Sequence, residues 1–383
     1  MHIAINGYFW NQPYVGSGQY TRQLVYHLNR LVSDLQITLI FPAVSDSDQP
    51  EAVPPSVKVK RVGLRPGNLG KVIFEQIHFP RACGEVGADL AHVPYWGSPL
   101  RSPVPTVVTI HDLITLIYPE YHRSAAARMY NALVSASARG ANHVLTDSNA
   151  SRDDILKHLE ISPEKVSTVY LAPSPDFSPE GNFLLDMAVK KKYDLPDFYA
   201  LYLGGFSLHK NVHTMLLAYT YVIDALGKDY PLVLAGKKPS PDAANGIDYP
   251  AYIEKLNLTE HVRWLGYVDE ADKPVIYREA LNFVFPSRYE GFGLPPLEAM
   301  ASGVPVVSTT APGISEIVGD AAMAVDPDNE RRMGGAMIAT LHQDSLRDDL
   351  IARGKERVKE FSWEKTAGQT VAVFADVLDK MSR

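Results

Sequence analysis

The chain has 383 residues, 46% hydrophobic and 21% charged, with 28 prolines, one cysteine and a net charge of −7. Such a length is too great for one ordinary domain and points to two, while the acidic balance argues against a dedicated nucleic-acid binder. Cys83 stands alone, so neither an internal disulfide nor a four-cysteine zinc site can form.

The charge is unevenly spread. Residues 1–175 carry 15 Lys and Arg against 14 Asp and Glu, and the rest carries 22 against 30. The start, MHIAINGYFW, lacks the basic and long apolar regions of a signal peptide. No apolar stretch approaches the ~20 residues of a membrane-spanning helix, so the cytoplasm is the expected compartment. In that context the glycosylation patterns at Asn149 and Asn257 are read as chance.

From the start, HIAIN (2–6) reads as a strand ending at Gly7. The loop NGYFWNQPYVGSGQYTRQL follows and leads into a helix with Leu24, Val25, Leu28, Leu31 and Val32 at helical spacing. Gly16 and Gly18 just before it are read first as a plain helix start. The second reading is a grip of free amides on phosphate or sugar oxygens. Thr21 stands where the third glycine of G-x-G-x-x-G would be, which excludes a dinucleotide fingerprint. QITLIF (36–41) is the next strand. Asp46-Ser47-Asp48 has the DxD form of a metal-holding motif, but it lies in a polar, proline-bounded loop and is read as a solvated turn.

VKVKRV (57–62) opens a run in which Lys58, Lys60, Arg61, Arg65 and Lys71 occur with no acid among them. A solvated strand-and-loop edge is the first reading, an anionic partner the second. Strands DLAHV (89–93), TVVTIH (106–111), HVLTD (143–147) and VSTVY (166–170) alternate with helical patterns at 72–83, 123–139 and 149–160. His111 and Asp112 fall at the carboxyl end of a buried strand, where a structural and a functional histidine weigh equally. His92 has a similar place and a weaker claim.

LAPSPDFSPEGN (171–182), with three prolines, breaks the pattern as a linker. A second series follows it: YALYLGG (199–205), YPLVLAG (230–236), VRWLGY (262–267), NFVFPS (282–287), VPVVST (304–309) and AAMAVD (321–326), again with helices between. Both halves read as α/β layers on open parallel sheets, whose ligands gather at the carboxyl ends of the strands. Gly204 and Gly205 leave the first of these strands, and Lys210 stands at the beginning of a helix. Helix starts favour negative charge, so a lysine there fits a phosphate shared with the helix amides, with a solvated loop lysine as the alternative.

RYEGFGLPPLEAMASGVPVV (288–307) holds two carboxylates around a glycine turn. Gly291 and Gly293 allow the tight turn, Pro295 suits a first helical position, and Glu298 then falls at a helix start, facing outward. Glu290 precedes the turn, on its cleft side. Such acids can accept hydrogen bonds from sugar hydroxyls, with turn amides meeting a phosphate between them.

This last string resembles the E-x7-E signature of the family 4 retaining glycosyltransferases, which have the GT-B fold: two Rossmann-like parallel-sheet domains facing a central cleft. GSGQYTRQL, TIHDL, TDSNASRDDI, LGGFSLHKNV, VRWLGYVDEAD and APGISEIVGDAAMAVDP extend the resemblance in order along nearly the whole chain. It implies an acceptor-side domain over 1–175 and a nucleotide-sugar domain over 176–360, with a helix in 361–383 (FSWEKTA onward) crossing back to the first. It further implies that Glu290 contacts the donor sugar, that Phe292, Gly293 and Leu294 meet sugar or phosphate through their backbone, and that Glu298 accepts the ribose hydroxyls. Lys210, with Gly205 beside it, would neutralise the diphosphate, Tyr267 and Val268 would border the base, and His111 would reach the sugar near its reacting carbon. Gly16 and Gly18 would close over phosphate or acceptor.

Relatives often carry an arginine before the lysine; here it is His209, and Arg288 is the candidate to compensate. The resemblance implies retention, with the acceptor entering on the leaving-group face and a phosphate oxygen taking its proton, and no metal or cofactor. Similarity to mannosyltransferases of bacterial surface-polysaccharide synthesis makes GDP-mannose the first donor and a saccharide or lipid-linked saccharide the acceptor. A weak peripheral contact of the 58–71 stretch with the inner face of the membrane is expected if the acceptor is lipid-linked. UDP-glucose-type donors, a GT-B sugar epimerase and a non-catalytic sugar-nucleotide binding protein are the competing readings.

Overall fold

The computed structural model describes residues 1–121, 124–239 and 247–382; position 123, first of an expected helix, and position 383 lie outside them. The chain divides into two compact units, residues 1–171 together with the segment from Ser362 onward, and residues 172–361.

The first unit holds β1 (His2–Asn6), β2 (Gln36–Ala43), β3 (Lys58–Gly63), β4 (Leu90–Val93), β5 (Thr106–Thr109), β6 (His143–Thr146) and β7 (Val166–Thr168). They lie in the order β3-β2-β1-β4-β5-β6-β7, every pair parallel. The central strands are short apolar runs because helices cover both faces of a parallel sheet. β4, β5 and β6 are buried throughout, while edge strand β3 is half exposed.

Serine caps start two crossover helices: Ser124 accepts from Ala127 N before Ala125–Gly140, and Ser148 from Ser151 N before Asn149–Leu159. The helix Trp363–Met381 belongs to this unit. Its Thr366 hydroxyl donates to Tyr170 O at 2.6 Å, and its buried Trp363, Phe374 and Val377 each contribute about 2 kcal/mol of apolar burial.

The second unit holds β8 (Ala200–Leu203), β9 (Leu232–Ala235), β10 (Val262–Gly266), β11 (Asn282–Val284), β12 (Val306–Thr309) and β13 (Ala322–Val325), in the order β10-β9-β8-β11-β12-β13. This sheet is also parallel throughout. Each sheet therefore has one place where the chain, having built outward on one side, starts again on the other. In the first unit it lies between β1 and β4, and in the second between β8 and β11. A crevice opens outside the carboxyl ends of the strands at such a point. Among the described residues no helix is long and apolar enough to cross a membrane.

Candidate active site

In the second unit the switch point brings two sequence-distant residues together. Lys210 follows β8 and Glu290 follows β11. The lysine ammonium donates to both carboxylate oxygens of Glu290, at 2.7 and 2.9 Å, with only 21% and 12% of the two side chains exposed. Lys210 does not open the long helix, as the sequence suggested. It ends a 3-10 turn, Leu208–Lys210, and the helix Val212–Leu226 begins after Asn211.

Asn211 is the hinge, and sequence reasoning missed it. It is fully buried in the left-handed region (φ 57°) that asparagine tolerates. Its amide donates to Pro286 O (3.0 Å) and Pro327 O (2.7 Å), tying the loop after β8 to the loops after β11 and β13. On the other side, Gly313 at φ +81° packs so closely that a Cβ there would stand 2.4 Å from Glu290 O. The Tyr202 hydroxyl donates to Gly205 O.

The glycine turn has the shape its sequence demands. Gly293 sits at φ 106° and the helix Leu294–Ala301 follows, with no acid in its first turn. Phe292 is buried against Phe361, ring centroids 5.9 Å apart. Val268 is buried and Tyr267 exposed beyond β10.

Glu298 corrects the sequence reading, because it does not face outward. Residues 296–300 are all buried, so this short helix has no solvent face there. The Tyr277 hydroxyl donates to Glu298 Oε2 at 3.0 Å. Burial pushes the Glu298 carboxyl above the ordinary range; Lys273 and the tyrosine hydroxyl pull it back, and Glu270 adds to the rise.

In the first unit His111 lies just past β5, with 21% of its side chain exposed. Its Nδ1 meets Asp147 Oδ2 at 2.6 Å, its Nε2 meets Pro94 O at 3.2 Å, and Tyr20 packs edge-on at 4.9 Å. Both ring nitrogens face acceptors, which suits the doubly protonated ring. Burial works against that charge, but Asp147, Asp112 and the Pro94 carbonyl together outweigh it, and the pKa stands above the usual histidine value. Sequence reasoning assigned Asp147 no role; it lies in TDSN, 36 residues from its partner. His92 is a core histidine, fully buried against Phe374, and burial pushes it down to about 3.

The remaining candidates have local tasks. A Cβ on Gly18 would stand 2.1 Å from Gln12 O, and the Gly18 amide donates to Val15 O. Gly16 opens the helix Gly16–Leu31. The Arg288 guanidinium is held by Asp328 at 2.9 and 2.5 Å, so a counter-charge already occupies the side chain expected to compensate for His209. Asp48 closes its own turn by accepting from Val44 N and Ser45 N. Lys60 pairs with Glu85 at 3.1 Å, and Arg61 donates to the carbonyls of Ser45 and Asp46.

The family model "Glycosyltransferase Family 4" matches residues 14–175, and "Glycosyl transferases group 1" matches residues 187–357. The chain is 35% identical to O-antigen chain mannosyltransferase B of Escherichia coli over 269 residues, 70% of this chain and 69% of that protein. It is 27% identical over 283 residues to the serotype-specific mannosyltransferase WbdA of Escherichia coli, 72% of this chain but only 34% of that protein. Among solved structures, the sucrose-phosphate synthase of Thermosynechococcus elongatus superposes with a TM-score of 0.79 at 21% identity, covering 99% of this chain and 100% of that one.

Proposed function

Because the chain belongs to the family 4 glycosyltransferases, enzymes of the GT-B fold, we propose that it transfers mannose, with retention, from GDP-mannose to a saccharide or lipid-linked saccharide. The observation that carries this reading is the Lys210–Glu290 pair at the switch point of the second sheet. The choice of mannose rests on the relatives named mannosyltransferases.

The pair has a direct chemical use. A buried ammonium without a partner is costly, and Glu290 supplies one before the donor arrives. A diphosphate takes the ammonium over, and the released carboxylate accepts from hydroxyls of the transferred sugar. As the sugar–phosphate bond breaks, positive charge grows on the sugar and negative charge on the leaving diphosphate. Lys210 and the backbone of Phe292, Gly293 and Leu294 oppose the negative charge, Glu290 the positive. The acceptor hydroxyl enters on the leaving-group face and gives its proton to a phosphate oxygen. His111, as an imidazolium held by Asp147 through Nδ1, exchanges the longer contact of its Nε2 with Pro94 O for a hydrogen bond donated to the transferred sugar. Glu298 accepts the ribose hydroxyls, and Tyr267 and Val268 border the base.

The first test is thermal stabilisation by GDP, UDP and ADP. At 100 times its Kd, GDP should add about 2.7 kcal/mol and raise the Tm by several degrees. A larger shift with UDP would reassign the donor, and no shift with any of the three would remove the donor site. Transfer from GDP-mannose, with the product anomer read by NMR, then tests sugar and stereochemistry. For Glu298→Ala, about a tenfold rise in nucleotide Kd is expected from the loss of one charged hydrogen-bonding partner, with kcat at saturating donor largely kept. An unchanged Kd by calorimetry would contradict the ribose assignment.

A further inference from the structure

Apart from His111, which rests against Pro94 O, the crevice of the first sheet has no part in the donor chemistry above, yet it is built from unusual material. The chain leaves β1 through Asn6, Gly7, Tyr8 and Phe9, and leaves β4 through Pro94 and Tyr95, on the two sides of the switch point. There the Lys71 ammonium lies 5.5 Å from the ring centroid of Tyr8, 5.6 Å from Phe9, 5.5 Å from Tyr95 and 4.9 Å from Tyr130. Its counter-charge is Glu75, at 3.5 Å and with no exposed side-chain surface, while Lys71 itself keeps 23%. The Tyr130 hydroxyl stands 3.1 Å from each Glu75 oxygen.

Glu75 sits in a π-helical turn, Phe74–His78, between the helices Asn68–Ile73 and Phe79–Glu85. Such turns often occur at functional sites. A buried ion pair is poor stabilising material compared with apolar side chains of the same volume. Beside it Asn6, fully buried, accepts from Tyr8 N and the Tyr95 hydroxyl, while its own Nδ2 has no partner among the described residues. Burial raises the Glu75 pKa against the opposing pull of Lys71, Tyr95 and Tyr130.

Tyr8 also lines a neighbouring cavity of about 560 Å³, a volume in the usual range for small-molecule sites. Its polar wall includes Asn11, Gln12, Asp48 and Glu51, with no lysine or arginine among the described residues of the lining. Arg22 donates to Trp10 O and faces Glu51 of this wall at 4.0 Å, and Arg61 donates to the carbonyls of Ser45 and Asp46. An anionic ligand would meet two carboxylates here, and a lysine whose counter-charge, unlike Glu290, has no exposed surface and is held in place by Tyr130. A neutral polyhydroxyl ligand would meet amides, carboxylates, an ammonium and a phenol that all bond hydroxyls, with ring faces for its C–H surface.

We propose that Lys71, Tyr130 and Tyr8 form the acceptor subsite, continuous with this cavity, and that the unit bound there is a neutral sugar. The proposal rests on the glycosyltransferase reading above. Lys71 and Tyr130 bind hydroxyls directly; Glu75 is a positioning residue that holds both and cancels the lysine charge. A free saccharide and the end of a lipid-carried chain would present the same unit, and acceptors with and without a long alkyl aglycone separate the two.

The test uses the full chain, a mannose disaccharide and its 6-phosphate. Wild type should prefer the neutral disaccharide. Lys71→Met should raise its KM at least tenfold, with kcat, donor hydrolysis in the absence of acceptor, and the GDP-induced Tm shift unchanged. Glu75→Gln, which leaves the lysine charge uncompensated, should raise the ratio of kcat/KM for phosphorylated over neutral acceptor at least fivefold. A wild-type KM in Lys71→Met, or a wild-type preference for the phosphorylated acceptor, would overturn the proposal. Lys71→Met leaves buried Glu75 without its counter-charge, so if either single variant does not fold, the double variant Lys71→Met/Glu75→Gln, with the same rise in KM expected, decides. Saturation-transfer NMR of the disaccharide, without donor, keeps this test separate from the donor assignment. Binding to wild type that is lost in Lys71→Met upholds the subsite even if no nucleotide shifts the Tm, and equal binding or none to wild type counts against it.

Discussion

Glu290→Gln is expected to lower sugar transfer by about 100- to 1,000-fold, the usual loss when one preorganised charge-stabilising group is removed, without weakening GDP binding. The sign of the second effect follows from the geometry. Glu290 holds Lys210 through two short hydrogen bonds, so a diphosphate must displace a carboxylate to reach the ammonium. Glutamine keeps the shape but not the charge, and GDP should bind as well or several-fold more tightly. Lys210→Met has the opposite signature: nucleotide binding and transfer fall together, and the protein loses stability because Glu290, 12% exposed, keeps its charge without a partner. Calorimetry with GDP and steady-state transfer on the two variants give the four numbers. Near-normal transfer in Glu290→Gln would remove Glu290 from the mechanism, and weaker GDP binding would mean that its charge serves the nucleotide instead.

The pairing behind this prediction could not be read from the sequence, although each partner could be singled out. Lys210 drew notice as a cation where helix starts disfavour one, and Glu290 as an acid before a glycine turn. They stand 80 residues apart, and only the strand order, with β8 beside β11, makes them neighbours. The two parallel sheets were legible because β4, β5, β6, β8, β9 and β12 are short β-rich runs around apolar residues, bounded by loops. Edge strands β3 and β13 were also among the expected strands.

Glu298 was misread for a related reason. An acid near a helix start suggests a solvent-facing position, but residues 296 to 300 of the helix Leu294–Ala301 are all buried, with 8% of Glu298 left exposed, and packing by neighbouring helices leaves no local trace. The π turn at Glu75 is equally silent. One inserted residue shifts the helical phase too little for periodicity to reveal it, so 72–83 read as an ordinary amphipathic helix.

Asp147→Asn should move the pH dependence of transfer and lower its rate at neutral pH by about 10- to 100-fold. In the wild type His111 titrates above the usual histidine value because Asp147, Asp112 and Pro94 O outweigh the effect of burial. With the largest opposing charge removed, the pKa falls from its wild-type position. If His111 acts as a donating imidazolium, wild-type transfer is lost as the pH rises through its folded pKa, and in Asp147→Asn the same loss comes at lower pH. A base would give the reverse limb, with activity gained as the proton leaves.

Stability carries the same sign. A histidine whose pKa is raised on folding contributes fully below its unfolded value, near 6.5, and loses that contribution as the pH climbs through the folded value. Wild-type stability should therefore decline across that window, and Asp147→Asn should show less of this decline. Ring-proton titration of His111 by NMR, beside pH–rate profiles of both proteins, separates the cases. A wild-type ring that titrates at or below 6.5, or transfer that rises with pH through the His111 pKa, would leave Asp147 as a structural anchor and His111 as something other than a cationic donor.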